Sequence, residues 1–245
     1  MNKFLLRKAF RIIRRNYGCP GNNKVSIKDI KSSYGSYEDK IWNLLIHSAY
    51  PFESNPKLVN IDNNKRFIYV YNIEERWIQE YLKLEIENNI EAVLHDYVYA
   101  YRMHLKDRDS YNYILKNNPN YILRVDIKNY FPSIDTRRIY FQIKNLNIDP
   151  CVEELIFKSS EHCEHGLPVG NVLSCILSNL YLTDFDDNFP QNYTRYSDDM
   201  MFAYKHESEH QSIIASVVHE LQLCGLELNL DKSVIITKPT LEKLI

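Results

Sequence analysis

The sequence predicts an α+β protein, on three observations. Segments with helical spacing of apolar residues recur along the chain. Short strand-like runs stand between them without the strict βαβ alternation of a parallel sheet. With 245 residues, 44% of them hydrophobic and 25% charged, the chain has ample material for a core and lacks the composition of a disordered segment.

Residues 3–15 place Phe4, Leu5, Ala9, Phe10, Ile12 and Ile13 at helical spacing with basic residues interleaved. Gly18-Cys19-Pro20-Gly21-Asn22-Asn23 breaks that helix. Residues 37–48 predict a second helix, and Lys57 to Val70 a strand pair around the turn Asp62-Asn63-Asn64. Residues 74–95 read as a long amphipathic helix whose opening pair, Glu74 and Glu75, suits the positive end of the helix dipole. Tyr121 to Ile127 is the next strong strand. Residues 136–160 read as mostly helical and the apolar stretch 172–183 as helical. Tyr193 to Tyr204 forms a hairpin, and 208–224 a further helix.

The net charge of −2 hides a polarised chain. Residues 1–31 hold nine Lys/Arg against one Asp, a net of +8, whereas the other 214 residues hold 21 basic and 31 acidic, a net of −10. A cationic arm is either a solvated helix face or a surface that tracks phosphates. Nineteen tyrosines can pack half-buried or stack on bases. No apolar run approaches the roughly 20 residues of a membrane span, and Arg7, Lys8 and Arg11 interrupt any secretory leader. Five scattered cysteines without a C-x-x-C spacing read as reduced thiols of a cytoplasmic protein.

Three segments carry chemistry. In the first, the apolar strand Tyr121-Ile122-Leu123-Arg124-Val125 ends in Asp126, followed by Tyr130, Phe131 and Pro132. An acid there also serves as a turn former or helix cap. In the second, Tyr196-Ser197-Asp198-Asp199 puts two adjacent carboxylates at a hairpin tip. Asp is common in turns, yet adjacent like charges repel by about 1 kcal/mol at the surface, a cost that a divalent cation offsets. In the third, Gly166-Leu167-Pro168-Val169-Gly170 is a loop that a ligand or backbone can approach closely, ahead of an apolar helix. Together, an acid at one strand end and an acid pair at a hairpin tip can meet on a sheet and hold two Mg2+ ions roughly 3.5–4 Å apart for in-line phosphoryl transfer. Glu161-His162-Cys163-Glu164-His165 matches no standard zinc spacing and reads as a polar loop.

These blocks resemble reverse transcriptases, in particular the prokaryotic branch of group II intron, retron and diversity-generating enzymes. Asp126 with Tyr130, Phe131 and Ile134 looks like the first palm motif, Gly166 to Gly170 through Ser174 and Ser178-Asn179-Leu180 like the second, and Tyr196-Ser197-Asp198-Asp199 matches the Tyr-x-Asp-Asp box. Gly225-Leu226-Glu227-Leu228-Asn229-Leu230-Asp231-Lys232 is similar to the Gly-Leu-x-x-Asn-x-x-Lys motif that follows it. Lys65-Arg66 through Glu75-Arg76 and Gln79, Tyr99-Ala100-Tyr101-Arg102, and Gly18 to Asp29 are similar to fingers segments, so the resemblance spans nearly the whole chain.

The resemblance implies a right-hand polymerase, with fingers over 1–105, palm over 106–245 and about 136–165 returning to the fingers. It implies an RNA-directed DNA polymerase in a bacterial retroelement or anti-phage defence system. Asp126, Asp198 and Asp199 would bind Mg2+ (or Mn2+), with the Ile127 carbonyl completing a site. Phe131 would sit under the sugar of the incoming nucleotide and select dNTPs. Lys65 and Arg66 would meet the triphosphate, with Arg76 and Arg102 as weaker candidates, and Val169 and Gly170 would line the nucleotide site. Lys232 would donate a proton to pyrophosphate or contact phosphate. Expected partners are an RNA template, a DNA product, dNTPs and a structured non-coding RNA.

Two departures matter. Val169 stands where most members carry Gln, which implies looser base selection. The chain stops 13 residues past Lys232, where the family continues into a thumb; a thumb that is absent or truncated implies grip from a second subunit, another copy of the chain or an RNA. Two other readings share the motifs. One is a template-independent or protein-primed polymerase on the same palm. The other is an inactive RNA-binding module, against which the intact acid triad argues.

Overall fold

The computed structural model describes residues 1–15, 20–50, 57–60 and 67–241. In chain order the elements are α1 (Lys3–Ile13), α2 (Ile27–Ser32), α3 (Tyr34–Ile46), β1 (Lys57–Asn60), β2 (Phe67–Val70), α4 (Ile73–Glu91), α5 (Asp107–Leu115), β3 (Tyr121–Asp126), α6 (Tyr130–Ser133), α7 (Thr136–Asn145), α8 (Pro150–Lys158), α9 (Val172–Tyr181), α10 (Thr183–Asp187), β4 (Tyr193–Tyr196), β5 (Asp199–Tyr204), α11 (His210–Leu223), β6 (Val234–Thr237) and α12 (Lys238–Leu241). The chain divides into two compact units: Met1–Ala92 with Thr136–Leu177, and Val93–Asp135 with Ser178–Ile245. The predicted turn at 62–64 lies outside the described residues.

The first unit is built around α4. Its Ile73, Trp77, Ile78, Tyr81, Leu82, Ile86 and Ile90 are buried, so apolar residues face neighbours on nearly every side. The backbone amide of the capping residue Asn72 donates to Glu75 Oε2 at 2.8 Å. Helix α1 lays Leu6, Ala9, Phe10 and Ile13 into this core, and Trp77 Nε1 donates to the Leu6 carbonyl at 2.7 Å. The stretch predicted as one helical run over 136–160 is two helices. Asn147 at φ 52 turns the chain, and Asp149 caps α8 with Pro150 in its first turn.

The second unit is organised by a four-stranded antiparallel sheet in the order β4-β5-β3-β6. Period-two alternation gives the sheet two unlike faces. On one face Ile122, Met201 and Ala203 form a cluster with Ile114 of α5, flanked by Tyr111, Leu115 and Ile236. On the other, Tyr193 stacks on Phe202 at 4.9 Å and Phe189 meets Phe202 at 5.1 Å. Strand β6 and helix α5 were not expected from the sequence. The first is a short β-branched edge strand, and the second carries too few apolar residues to show a helical period.

Candidate active site

Strand register brings the acids together. Asp126 ends β3 and Asp199 begins β5, and the two are paired directly opposite one another. The turn between β4 and β5 holds Ser197 and Asp198, and the Ile127 amide donates to the Asp198 carbonyl at 3.3 Å. Two segments far apart in sequence therefore deliver three carboxylates to one end of the sheet.

The turn rests on a buried ion pair. Ser197 is held at φ 61, a left-handed conformation that costs an L residue about 1–2 kcal/mol. Its carbonyl accepts from Arg195 Nη1 at 3.3 Å. The Arg195 side chain is fully buried, as is that of its partner Asp186. Nε and Nη2 donate to the two Asp186 oxygens at 3.0 and 2.6 Å, and the remaining protons go to Asn179 Oδ1 (3.0 Å), the Asn179 carbonyl (3.3 Å) and Ser197. All five guanidinium donors are used. Burial alone would lower the Arg195 pKa; the charge and hydrogen bonds of Asp186 outweigh it and hold the group cationic. Tyr193 adds a hydrogen bond to Asp186 Oδ1 at 2.8 Å.

The acids themselves lie on the half-open face. Arg124, two residues before Asp126 and so on the same side of the strand, forks onto Asp199: Nε lies 2.8 and 2.9 Å from the two oxygens, and Nη2 also bonds Oδ2. Lys232 Nζ straddles the Asp126 carboxylate at 3.0 and 3.1 Å. Asn229 Nδ2 reaches the same carboxylate at 3.1 Å, while the Asn229 amide donates to the Asp126 carbonyl at 2.8 Å. A cleft of about 320 Å3 opens here, lined by Arg124, Asp126, Asp199, Lys232 and Val234. Burial raises the Asp198 pKa, and the charges of Asp126 and Asp199 push the same way against Lys232. Among the described residues, no three His, Cys, Asp or Glu side chains form a group that could hold a metal ion: Asp199 is committed to Arg124, and Asp126 is covered by Lys232 and Asn229.

The other predicted residues are distributed as follows. Phe131 is half-buried on α6, edge-on to Tyr130 at 5.7 Å. Tyr130 itself is buried and bonds the Ser178 carbonyl. Val169 and Gly170 belong to the first unit, where the Val169 carbonyl accepts from the Tyr69 amide at 2.8 Å. Gly170, at φ +107, lies so close to β2 that a Cβ would stand 2.4 Å from the Tyr69 oxygen, which explains a glycine at that position. Lys65 and Arg66 lie outside the described residues. Arg102 donates through Nη1 to the carbonyls of His95 (2.6 Å) and Val98 (2.7 Å), a structural tie rather than an open triphosphate contact. Arg76 is half-buried on α4. Sequence reasoning missed Arg124, Arg195 and Asp186 as parts of the site, and gave Asn229, a matched position of the motif that ends at Lys232, no role. Arg124 had a readable signal in its strand spacing from Asp126.

An antiparallel sheet with carboxylates gathered at one end, in an α+β fold of palm and fingers type, is the architecture of the polymerase palm class. The chain belongs to the reverse transcriptase (RNA-dependent DNA polymerase) family, whose model matches residues 56–243. No curated protein matches it in sequence. Among solved structures, apo telomerase from Candida tropicalis truncated from its C-terminal domain is similar, with a TM-score of 0.55 and 14% identity over 74% of this chain and 49% of that one. Telomerase from Candida tropicalis in complex with a TWJ fragment of telomeric RNA gives 0.56 and 12% over 87% and 45%. At these identities the likeness is one of fold, and the chain spans about half the length of those structures. Among the described residues, no helix is long and apolar enough to cross a membrane.

Proposed function

We propose that this chain copies RNA into DNA, adding dNTPs to a primer 3′-hydroxyl by phosphoryl transfer assisted by divalent cations, Mg2+ or Mn2+. The observation that carries the reading is the register of Asp126 against Asp199, with Asp198 in the adjoining turn. The donor chemistry suits a hard cation, which would have to displace Lys232 from Asp126 and Arg124 from Asp199. The donor set is all oxygen, Asp198 is poised among like charges, and an ammonium group already lies across both oxygens of Asp126. Asp126 and Asp198 would hold the ion, with Asp199 and the Ile127 carbonyl as further ligands. When bound, such an ion supplies positive charge that acidifies the attacking hydroxyl and offsets charge on the leaving group.

The chain's own groups do the rest. The Arg195–Asp186 pair holds the Ser197 turn and so orients Asp198. Lys232 lies on a 3-10 turn beside Asp126 and would donate a proton to the departing pyrophosphate or contact phosphate. Phe131 would face the sugar. The nucleotide contacts of Lys65, Arg66, Val169 and Gly170 rest on the sequence resemblance. So do the prokaryotic branch, the setting in a bacterial retroelement or anti-phage system, and a structured RNA partner; a cytoplasmic location rests on cysteine usage alone.

The test is primer extension on an RNA template by wild type and Asp198→Asn. Wild type is expected to give template-encoded DNA. The variant is expected to lose activity by about 1,000-fold, on the scale of losing one electrostatic contact to a reacting group, with an unchanged melting temperature. Equal incorporation by both would overturn the reading. Product formed without template would select the template-independent alternative.

A further inference from the structure

Helix α1 carries Lys3, Arg7, Lys8 and Arg11 and no acid, and Arg14 and Arg15 follow directly. Like charges three and four residues apart repel along a helix. Cations in the last turn offset the helix dipole, which favours positive charge at Arg11 and Arg14 but gives neither a partner and does not explain a stripe that begins at Lys3. Two of the cations are answered within the unit. Lys3 pairs with Asp39 at 3.1 Å, and Arg7 donates to Glu38 at 2.7 and 3.3 Å. Arg11 and Arg14 are exposed and have no carboxylate partner among the described residues.

These groups frame a cleft of about 430 Å3 lined by Arg7, Phe10, Arg11, Arg14, Lys31 and Tyr34. No acid lines it. Its walls are preorganised. Glu38 fixes Arg7 and also accepts from the Tyr34 hydroxyl at 3.1 Å. Phe10, Tyr34 and Trp77 pack ring on ring at 4.5 to 5.7 Å, and Trp77 ties α1 down through the Leu6 carbonyl. Arg7, Arg11 and the C-cap residue Arg14 recur at four- and three-residue steps, so they stand on one helix face about 4.5–6 Å apart along the axis. Repeated cations beside a half-exposed aromatic ring match a strand of repeating phosphates whose bases can stack.

We propose that this cleft, within the first unit, binds the phosphodiester backbone of single-stranded RNA, with Arg11 and Arg14 as the phosphate contacts and Tyr34 as a stacking surface. The assignment to RNA rests on the polymerase reading above; the anion chemistry does not. The test is fluorescence anisotropy with a labelled single-stranded RNA of about 15 nucleotides across a salt series, for wild type, Arg11→Gln with Arg14→Gln, and Asp198→Asn. Each single-strand phosphate contact contributes about 0.7 to the slope of log affinity against log salt. The double variant is therefore expected to lose about 1.4 from that slope and roughly 20-fold in affinity near 0.1 M salt, at an unchanged melting temperature. Asp198→Asn is expected to bind as wild type, so a chain that fails to polymerise still reports on the cleft. Unchanged affinity and slope in the double variant would overturn the proposal. So would calorimetric binding of inorganic phosphate that the double variant abolishes while RNA binding is untouched, because the cleft would then take free phosphate.

Discussion

Two arginine–aspartate pairs stand on opposite faces of one four-stranded sheet. Arg195 and Asp186 are sealed beneath β4 with every guanidinium proton placed. Arg124 and Asp199 lie at the open end of the other face, 40% and 30% exposed. The chemistry is the same and the surroundings decide what it does. A desolvated pair must be satisfied completely or it ruins the fold; once satisfied, it becomes a rigid fixture, here aimed at the Ser197 carbonyl. A half-solvated pair contributes little to stability, and its partners stay free to exchange for other ligands.

The largest effect is expected from breaking the buried pair. Arg195→Met strands Asp186 without a cation and should cost about 3–5 kcal/mol in urea unfolding. Replacing both partners, Arg195→Met with Asp186→Leu, should return most of that loss, because an apolar pair of similar volume carries no desolvation penalty. Incorporation should stay depressed in the double variant, since Ser197 still lacks its donor. If activity returned together with stability, the pair would be a packing device with no hold on the turn.

Glu75 extends the comparison to a buried acid with no cation. It is 1% exposed, one oxygen accepts from the Asn72 amide, and Oε1 has no partner among the described residues. Burial, helped by the charge of Glu74, raises its pKa from 4.5 to about 7. Between those values the folded chain holds a proton that the unfolded chain has released. Stability therefore falls as pH rises through the window and remains lower above it, by roughly 3 kcal/mol in total. Glu75→Gln should flatten this dependence, leaving the variant the more stable at pH 8 and nearly matched to wild type at pH 4.5. Parallel pH dependences of the urea midpoint would show that Glu75 ionises without cost.

What could be read from the sequence follows the range of the forces. Local signals located α4, predicted as 74–95 and found at Ile73–Glu91, and the hairpin around Ser197-Asp198. Asp126 was marked by an apolar strand ending in an acid. The break in the helical run over 136–160 was legible in Pro150 and passed over. The Arg195–Asp186 pair was not legible, because a lone Arg in a strand looks solvated until the fold supplies a buried Asp from another element. Nor was the direction of the Asp199 carboxylate, which depends on Arg124 across a strand register that only tertiary pairing sets.

Arg124 offers the smallest change in stability and the sharpest separation of the two pairs. Arg124→Gln removes a partly exposed ion pair, so urea unfolding should move by less than about 1 kcal/mol. The same change frees Asp199 and takes one positive charge from the cleft beside Asp126. A divalent ion there should bind more tightly by about 2 kcal/mol or roughly thirtyfold, the size of a unit charge acting on a divalent ion near 4 Å in water. Calorimetric titration with Mg2+ reads this without reference to catalysis, and Arg124→Lys, which keeps the charge but loses the fork, should fall between. Weaker or unchanged binding in Arg124→Gln would mean that Arg124 orients Asp199 toward the ion rather than holding it back, and the open pair would then be as much a fixture as the buried one.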